Sequence, residues 1–280
     1  MRRSSGYFPI VERWRRRLAQ IGEDLSMIDE LPAAFFDVHR DLPRQGPGDS
    51  MATRRALAAC GSLGPHPAVL DIGCGPGAQT LVLAESLPGA QITAIDTHRP
   101  YLDALEMRTA RAGLSDRISP IDMSMEDMPF ADASFDLIWA EGSAYIMGFA
   151  DAVAAWKRLL KPAGCLAVSE LVWLTDDRPP DIAAFFGEEY PDMTDRAGAA
   201  ERILAAGYRL IDHFTVADSA WWEPYYTPLL ARLPALEEKY AKDEAGLAVI
   251  AAERREIEMR RRFSNVYGYE FYIARNEKID

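Results

Sequence analysis

The chain has 280 residues, 49% of them hydrophobic and 26% charged, which is typical of a folded protein with a sizeable core and excludes disordered, collagen-like and low-complexity classes. Acidic residues exceed basic ones by 43 to 31, and the resulting net charge of -12 repels phosphate backbones, so we expect no nucleic-acid partner. No apolar run approaches the roughly 20 residues that span a bilayer, so we expect no membrane association.

The amino-terminal segment is rich in arginine but has no apolar stretch of the kind found in secretory signals. An organelle transit peptide is one interpretation, and a solvated helix beginning near Val11 is the simpler one because acidic residues interrupt the basic run. Cys60, Cys74 and Cys165 show no paired spacing, which argues against a disulfide framework or a zinc site. A cytoplasmic protein is therefore expected.

Residues 1–65 are predicted to be helical with breaks, the clearest being a proline- and glycine-rich loop at residues 42–48. After this segment, short apolar runs alternate with helical stretches, and a helical stripe between Phe149 and Leu160 separates the last two of them. This rhythm predicts βαβ units and a parallel sheet. The five predicted strands are Ala68–Ile72, Gln91–Asp96, Arg117–Asp122, Phe135–Ala140 and Gly164–Ser169.

Two interruptions of this rhythm predict a cap. An aromatic and proline-rich stretch at about 174–193 comes before a predicted helix, Thr194–Ala206, and a strand, Tyr208–Phe214. Amphipathic helices within about 219–266 then precede a last strand, Gly268–Ile273. We therefore divide the chain into an amino-terminal segment with its loop, 1–65, and a core, 66–280, that carries both cap insertions.

The most informative motif is Val-Leu-Asp-Ile-Gly-Cys-Gly-Pro-Gly at residues 69–77, a buried strand that enters a glycine turn and then a helix from about Gln79. Glycines allow a ligand to approach the main chain, and the amides that begin a helix attract negative groups. Asp96 closes the second strand, where its carboxylate can accept hydrogen bonds from both ribose hydroxyls. The pattern indicates a cofactor that contains a nucleoside.

Two such cofactors fit the turn, because Gly73, Gly75 and Ala78 also satisfy the dinucleotide fingerprint. Asp71, two residues before the first glycine, favours a positively charged group and disfavours a pyrophosphate. A Tyr-x-x-x-Lys pair, which a short-chain dehydrogenase would need, is absent from the sequence. These neighbours favour a cofactor other than a nicotinamide dinucleotide.

With Met-Pro-Phe at 128–130, Phe-Asp-Leu-Ile-Trp at 135–139 and Leu-Lys-Pro-Ala-Gly at 160–164, the glycine turn and Asp96 form a set that resembles the class I S-adenosylmethionine-dependent methyltransferases. The resemblance implies an α/β, Rossmann-like, seven-stranded, mostly parallel sheet of order 3-2-1-4-5-7-6, with an antiparallel last strand, helices on both faces and a helical cap. Motifs at residues 44–48, 141–145 and 267–271 resemble, more narrowly, a group of uncharacterised bacterial small-molecule methyltransferases.

The resemblance also implies a set of site residues. The three glycines of the turn would face the methionine part of the cofactor, and Asp96 would bind the ribose. Where the family usually has an aspartate for the adenine amino group, this chain has Ser124, followed by Met125, whereas Asp122 lies two positions early. The expected cofactor-binding residues are Arg44, Gln45, Gly46, Asp71, Gly73, Gly75, Gly77, Asp96, Thr97, Ser124, Met125 and Glu141.

Several of these residues have simpler interpretations. Arg44 is expected to reach the cofactor carboxylate with a bidentate guanidinium, although a surface arginine is the alternative. Glu141 either contacts the cofactor ammonium or the substrate, or caps the following helix. If the acceptor arrives protonated, a general base is needed, and Glu141 and Tyr145 are the candidate catalytic residues. No metal is required.

Aromatic residues are concentrated in the two cap insertions, where they predict either a packed interface with the sheet or a substrate pocket. His213 is interpreted as a structural histidine and Cys74 as packing within the turn. The expected function is methyl transfer from S-adenosylmethionine, with S-adenosylhomocysteine as product, to a small molecule by a monomer or homodimer. The alternatives are an NAD(P)-dependent oxidoreductase and a non-catalytic cofactor-binding protein.

Overall fold

The computed structural model describes residues 33–277, so the amino-terminal helix expected near Val11 lies outside the described residues. The sheet has seven strands, arranged β3-β2-β1-β4-β5-β7-β6. Strands β1 to β5 are parallel, and β7 runs antiparallel to both β5 and β6. The predicted order and antiparallel last strand are confirmed. The strands are β1 (Ala68–Ile72), β2 (Gln91–Asp96), β3 (Ile118–Asp122), β4 (Phe135–Glu141), β5 (Leu160–Trp173), β6 (Tyr208–Thr215) and β7 (Tyr267–Asn276).

Helices lie on both faces of this sheet. One hydrophobic core fills the space between the sheet and α2, α3 and α4, and another lies beneath α5 and α7. The central strands β1 and β4 are apolar runs because parallel strands in this position are buried on both faces. The helices are α1 (Ala33–His39), α2 (Ser50–Ala59), α3 (Ala78–Ser86), α4 (Arg99–Ala112), α5 (Phe149–Trp156), α6 (Pro180–Glu189), α7 (Arg196–Ala205), α8 (Thr227–Lys239) and α9 (Glu244–Phe263).

Strand β5 is longer than predicted at both ends. Residues 161–163, which follow the predicted helical stripe, belong to this strand although Ala163 has a φ of 60°, and the register of β4 shifts between Phe135 and Leu137 opposite them. Beyond Ser169 the strand continues to Trp173, because β7 pairs with it over its whole carboxyl-terminal half. Local sequence pattern does not reveal this pairing, since the partner strand lies about 100 residues later.

The cap is a third hydrophobic layer, formed by α6 and by the chain from Ser219 to Phe263. Between Ser219 and α8 the chain forms a short α turn and then a π turn, Trp222–Tyr226. Helix α1 joins this layer through Ala34 and Val38, so α1 and the cap share one core. Within residues 33–277, no helix is both long enough and apolar enough to cross a membrane.

Candidate functional site

A cavity of 270 Å³ lies at the carboxyl edge of the sheet, between the glycine turn and the cap. Parallel α/β sheets bind ligands at this edge because the loops that follow the strands converge there. Of the residues predicted for the site, eleven line the cavity: Arg44, Gln45, Gly46, Gly73, Gly75, Asp96, Thr97, Ser124, Met125, Glu141 and Tyr145.

The glycine turn forms the floor of this cavity. Gly73 has a φ of 69°, and a Cβ there would lie 2.5 Å from the Cβ of Ser143. The hydroxyl of Ser143 donates to the carbonyl oxygen of Ile72 over 2.7 Å, which holds the loop after β4 against the turn. Only glycine permits both the backbone conformation and this close approach.

Asp96 fixes the turn and still faces the cavity. One carboxylate oxygen accepts from the Gly75 amide and the other from the His98 amide, each over 2.9 Å. Burial raises the pKa of Asp96, while the amide hydrogen bonds act in the opposite direction. Each carboxylate oxygen can accept a second hydrogen bond, so this side chain can bind a vicinal diol such as a ribose.

Asp71 and Gly77 lie outside the cavity lining. Asp71 is fully buried beneath the turn, where it accepts from the Thr80 hydroxyl over 2.6 Å and from the Gln79 amide over 3.3 Å. A Cβ on Gly77 would meet the side chain of Leu105. Both residues therefore support the glycine turn from beneath, and neither reaches the surface of the cavity.

Asp71 makes the stability of the protein depend on pH. Burial raises its pKa from 3.8 to about 7, and the hydrogen bonds from Thr80 and Gln79 only partly oppose this. The folded protein therefore retains a proton that the unfolded chain loses above pH 3.8, so the free energy of unfolding falls as pH rises from about 4 to 7.

Asp71→Asn is expected to remove this fall, so that the variant gains stability relative to the wild type by roughly 1 kcal/mol or more between pH 5 and pH 8. Urea unfolding of both proteins at the two pH values measures the difference. Asp116→Asn, at an exposed position just before β3, is the control and should retain the wild-type dependence on pH. Parallel pH profiles for wild type and Asp71→Asn would mean that Asp71 is not protonated in the folded protein.

Arg44 and Glu141 form an ion pair within the cavity wall, with side chains no more than 8% exposed. The second oxygen of Glu141 accepts from the Thr53 hydroxyl over 2.8 Å and from the Trp139 indole over 2.9 Å. Three donors occupy the two oxygens of Glu141, which favours a positioning role over that of the predicted base. Arg44 keeps other N–H groups for a ligand carboxylate.

The loop at residues 42–48 is irregular, as predicted, and it is attached to the cap. The amide of Gly48 donates to the carbonyl oxygen of Ala220 over 3.0 Å. The side-chain amide of Gln45 donates to the carbonyl oxygen of His39 over 3.1 Å, whereas its buried oxygen has no hydrogen-bond partner within residues 33–277. A ligand ammonium group would satisfy that oxygen.

The expected adenine side of the cavity contains Ser124 and Met125. The Ser124 hydroxyl accepts from the Glu126 amide over 3.2 Å, and the methyl of Met125 lies near the Gly73 position. Asp122 pairs in register with Asp96 on the neighbouring strand but does not line the cavity. The structure thus favours Ser124 and Met125 over Asp122.

The cap half of the cavity is aromatic and also acidic. Tyr145 packs edge-on against Tyr190, with 6.1 Å between ring centres. Six aromatic residues of the two cap segments line the cavity: Phe185, Phe186, Tyr190, Trp221, Tyr225 and Tyr226. Glu189, Glu253 and Glu256 line it as well, so this half of the cavity is not purely apolar.

Sequence reasoning did not identify four further side chains of the wall: His39, Tyr101, Ser143 and Tyr269. The histidine that it did consider, His213, lies outside the cavity, and its Nδ1 is 2.6 Å from a Glu270 oxygen. Burial raises the pKa of the Cys74 thiol, consistent with its interpretation as packing. His39 had one available signal, its position directly before the glycine- and proline-rich loop.

The sequence is similar to those of known methyltransferases. A family described as "Methyltransferase domain" matches residues 69–164, which contain the glycine turn, β1 to β4 and Asp96. "Sterol methyltransferase-like 1" from Botryococcus braunii is 28% identical over 180 residues, covering 60% of this chain and 46% of that protein. "O-methyltransferase resE" from Aspergillus sclerotiorum is 27% identical over 203 residues, covering 69% and 76% respectively.

The fold is also found in a solved methyltransferase. The S-adenosylmethionine-dependent methyltransferase from Geobacter sulfurreducens, determined with S-adenosylhomocysteine, superposes with a TM-score of 0.75 at 19% identity, covering 88% of this chain and 98% of that one. The chain spans about half the length of several curated relatives, including the first of those above. Residues 69–164 therefore match a methyltransferase domain, and they lie in a sheet with the strand order expected for the class I S-adenosylmethionine-dependent methyltransferases.

Proposed function

We propose that this protein transfers the methyl group of S-adenosylmethionine to a small, partly apolar molecule held between the cofactor and the cap. The observation that carries the proposal is the continuity of one cavity, which is lined both by the glycine turn with Asp96 and by the aromatic side chains of the cap. A sulfonium methyl is already activated, so the protein mainly has to align the acceptor and exclude water.

The described residues fit this cofactor. Asp96 has acceptor capacity for the ribose, Arg44 has N–H groups for the carboxylate, and the oxygen of Gln45 can accept from the ammonium. Bound S-adenosylmethionine would supply an electrophilic methyl carbon. The loop at residues 42–48, which is hydrogen-bonded to Ala220 of the cap, would close the cavity on the side of the methionine part.

The residues that line the cavity favour a small molecule as the methyl acceptor. Aromatic rings from two cap segments line the cap half of the cavity, and pockets with many aromatic side chains suit molecules with an apolar body. One relative is named for sterols and another as an O-methyltransferase, which is consistent with apolar metabolites as the acceptor class. The acidic net charge disfavours nucleic acid as the acceptor.

Calorimetric titration tests the cofactor assignment. We expect S-adenosylhomocysteine to bind with micromolar affinity, on the order of -8 kcal/mol, and NAD and NADP to give no heat. Binding of a nicotinamide dinucleotide, with none of S-adenosylhomocysteine, would instead support the oxidoreductase alternative. Formation of S-adenosylhomocysteine from S-adenosylmethionine with an added acceptor distinguishes the enzyme from a non-catalytic binding protein.

A further inference from the structure

A buried histidine with a defined hydrogen-bonding pattern lines the cap half of the cavity. His39 is the last residue of α1 and is 6% exposed. Its ring lies against that of Phe35, with 4.9 Å between ring centres, and its main-chain oxygen accepts from the Gln45 amide of the loop that borders the cofactor half. His39 thus connects the acceptor side of the cavity to the cofactor side.

The contacts of the ring determine its tautomer. Nδ1 lies 2.9 Å from the carbonyl oxygen of Phe35, and because a carbonyl only accepts, Nδ1 must carry the hydrogen. In the neutral ring, Nε2 is therefore the nitrogen that carries the lone pair. Nε2 lies 3.3 Å from the Tyr225 hydroxyl, which can donate to it. The proton-accepting nitrogen thus lies next to Tyr225, which also lines the cavity.

A carboxylate lies close enough to the His39 ring to stabilise its protonated form. Glu253 of α9 is 3% exposed and has one oxygen 3.9 Å from His39 Nε2. Tyr225 from the π turn also faces the ring, and Glu256 of α9 and Tyr101 of α4 line the same cavity. The nearest charged group of α1 itself, Asp37, is paired on another side of the helix. Its partners there are Arg40, Lys239 and Tyr240.

Other candidate bases of the cavity are less suited. Glu141 is held by three donors, and both oxygens of Asp96 accept from main-chain amides. Burial raises the pKa of Tyr225 well above its ordinary value, so its hydroxyl stays protonated and can relay a proton but does not act as the final acceptor. Among these groups, His39 is the one with a nitrogen, Nε2, that can take up a proton.

We propose that His39 is the general base of the methyl transfer and that the acceptor is a hydroxyl or amine compound that arrives with a proton on its nucleophilic atom. This inference rests on the proposed function. The acceptor oxygen or nitrogen forms a bond to the methyl carbon, and the carbon–sulfur bond breaks with its electron pair going to sulfur. The proton moves to Nε2, directly or through the Tyr225 hydroxyl, and is later released to solvent.

The tautomer can be tested without any acceptor. The chain has only four histidines, so long-range ¹H–¹⁵N spectra of the imidazoles can be assigned by substitution. We expect the neutral ring of His39 to carry its hydrogen on Nδ1, and Tyr225→Phe to alter the Nε2 shift. A neutral ring protonated on Nε2 would overturn the proposal.

Turnover tests the role and the acceptor class. Each probe is supplied together with S-adenosylmethionine. Three probes carry an O–H or N–H group, namely catechol, 4-phenylphenol and 2-phenylethylamine, and the fourth, the alkene limonene, carries neither. We expect turnover of at least one O–H or N–H probe, and His39→Asn to lower kcat by roughly 10²- to 10⁴-fold and to remove the rise of kcat with pH. His66→Asn, in an exposed turn, is the matched control and should leave both unchanged.

Calorimetry separates this proposal from the proposed function. If His39→Asn binds S-adenosylhomocysteine as the wild type does and loses turnover, the base role is supported. Three results would each contradict the base role. They are a kcat and pH profile of His39→Asn equal to those of the wild type, turnover of limonene alone among the probes, and no turnover of any O–H or N–H probe. Failure of the wild type to bind S-adenosylhomocysteine would instead refute the proposed function.

Discussion

Asp96→Ala is expected to weaken binding of S-adenosylhomocysteine by roughly 10- to 150-fold, or about 1.5–3 kcal/mol, the cost of losing a charged hydrogen-bonding partner. The substitution removes the proposed ribose contact and also releases the amides of Gly75 and His98, so the turn loses part of its support. Calorimetric titration of the variant with S-adenosylhomocysteine measures the change in affinity.

Asp122→Ala is the matched control for this experiment. Asp122 closes the neighbouring strand in register with Asp96 but lies outside the cavity. The Asp122→Ala variant should bind S-adenosylhomocysteine with unchanged affinity. Thermal melts of both variants would show whether the fold is retained. Equal affinities of Asp96→Ala and the wild type would place the ribose contact elsewhere.

Arg44→Ala is expected to have two effects, one on stability and one on binding. It leaves the carboxylate of Glu141 buried without its positive partner, and breaking a buried pair in this way typically costs about 3–5 kcal/mol. It also removes the guanidinium proposed to bind the cofactor carboxylate. We therefore expect a lower melting temperature together with an affinity for S-adenosylhomocysteine reduced at least tenfold.

The double variant Arg44→Ala/Glu141→Gln separates these effects. A neutral glutamine can still accept from Thr53 and Trp139 and needs no positive partner, so much of the lost stability should return while the affinity stays low. Arg54→Ala, which breaks an exposed ion pair with Glu85, is the control and should cost less than about 1 kcal/mol without affecting binding. Recovery of full affinity in the double variant would mean that Arg44 only neutralises Glu141.

The parts of the fold that could be predicted are those that depend on local pattern. Strands β1, β2 and β4 are short apolar runs because both of their faces are buried, and glycines mark the turn where the main chain must adopt a positive φ. Asp96 was recognisable because its position at the end of β2 follows from the same rhythm. The extension of β5 was not, since it depends on pairing with β7.

The parts of the site that could not be predicted depend on contacts between distant residues. Arg44 and Glu141 are 97 residues apart, and nothing in either neighbourhood indicates that they form a pair. His39 and Glu253 are brought together only by the packing of α1 on α9. Asp71 was expected among the cofactor-binding residues, and whether its carboxyl group faces a ligand or supports the turn depends on the positions of Gln79 and Thr80.

A crystal structure with bound S-adenosylhomocysteine tests the central claim most directly. We predict that the ribose hydroxyls lie within hydrogen-bonding distance of the Asp96 carboxylate, that Arg44 contacts the ligand carboxylate, and that the sulfur faces the cap half of the cavity, towards Tyr145 and Tyr225. A ligand whose ribose lies away from Asp96, or whose sulfur points to open solvent and not to the aromatic wall, would contradict the account.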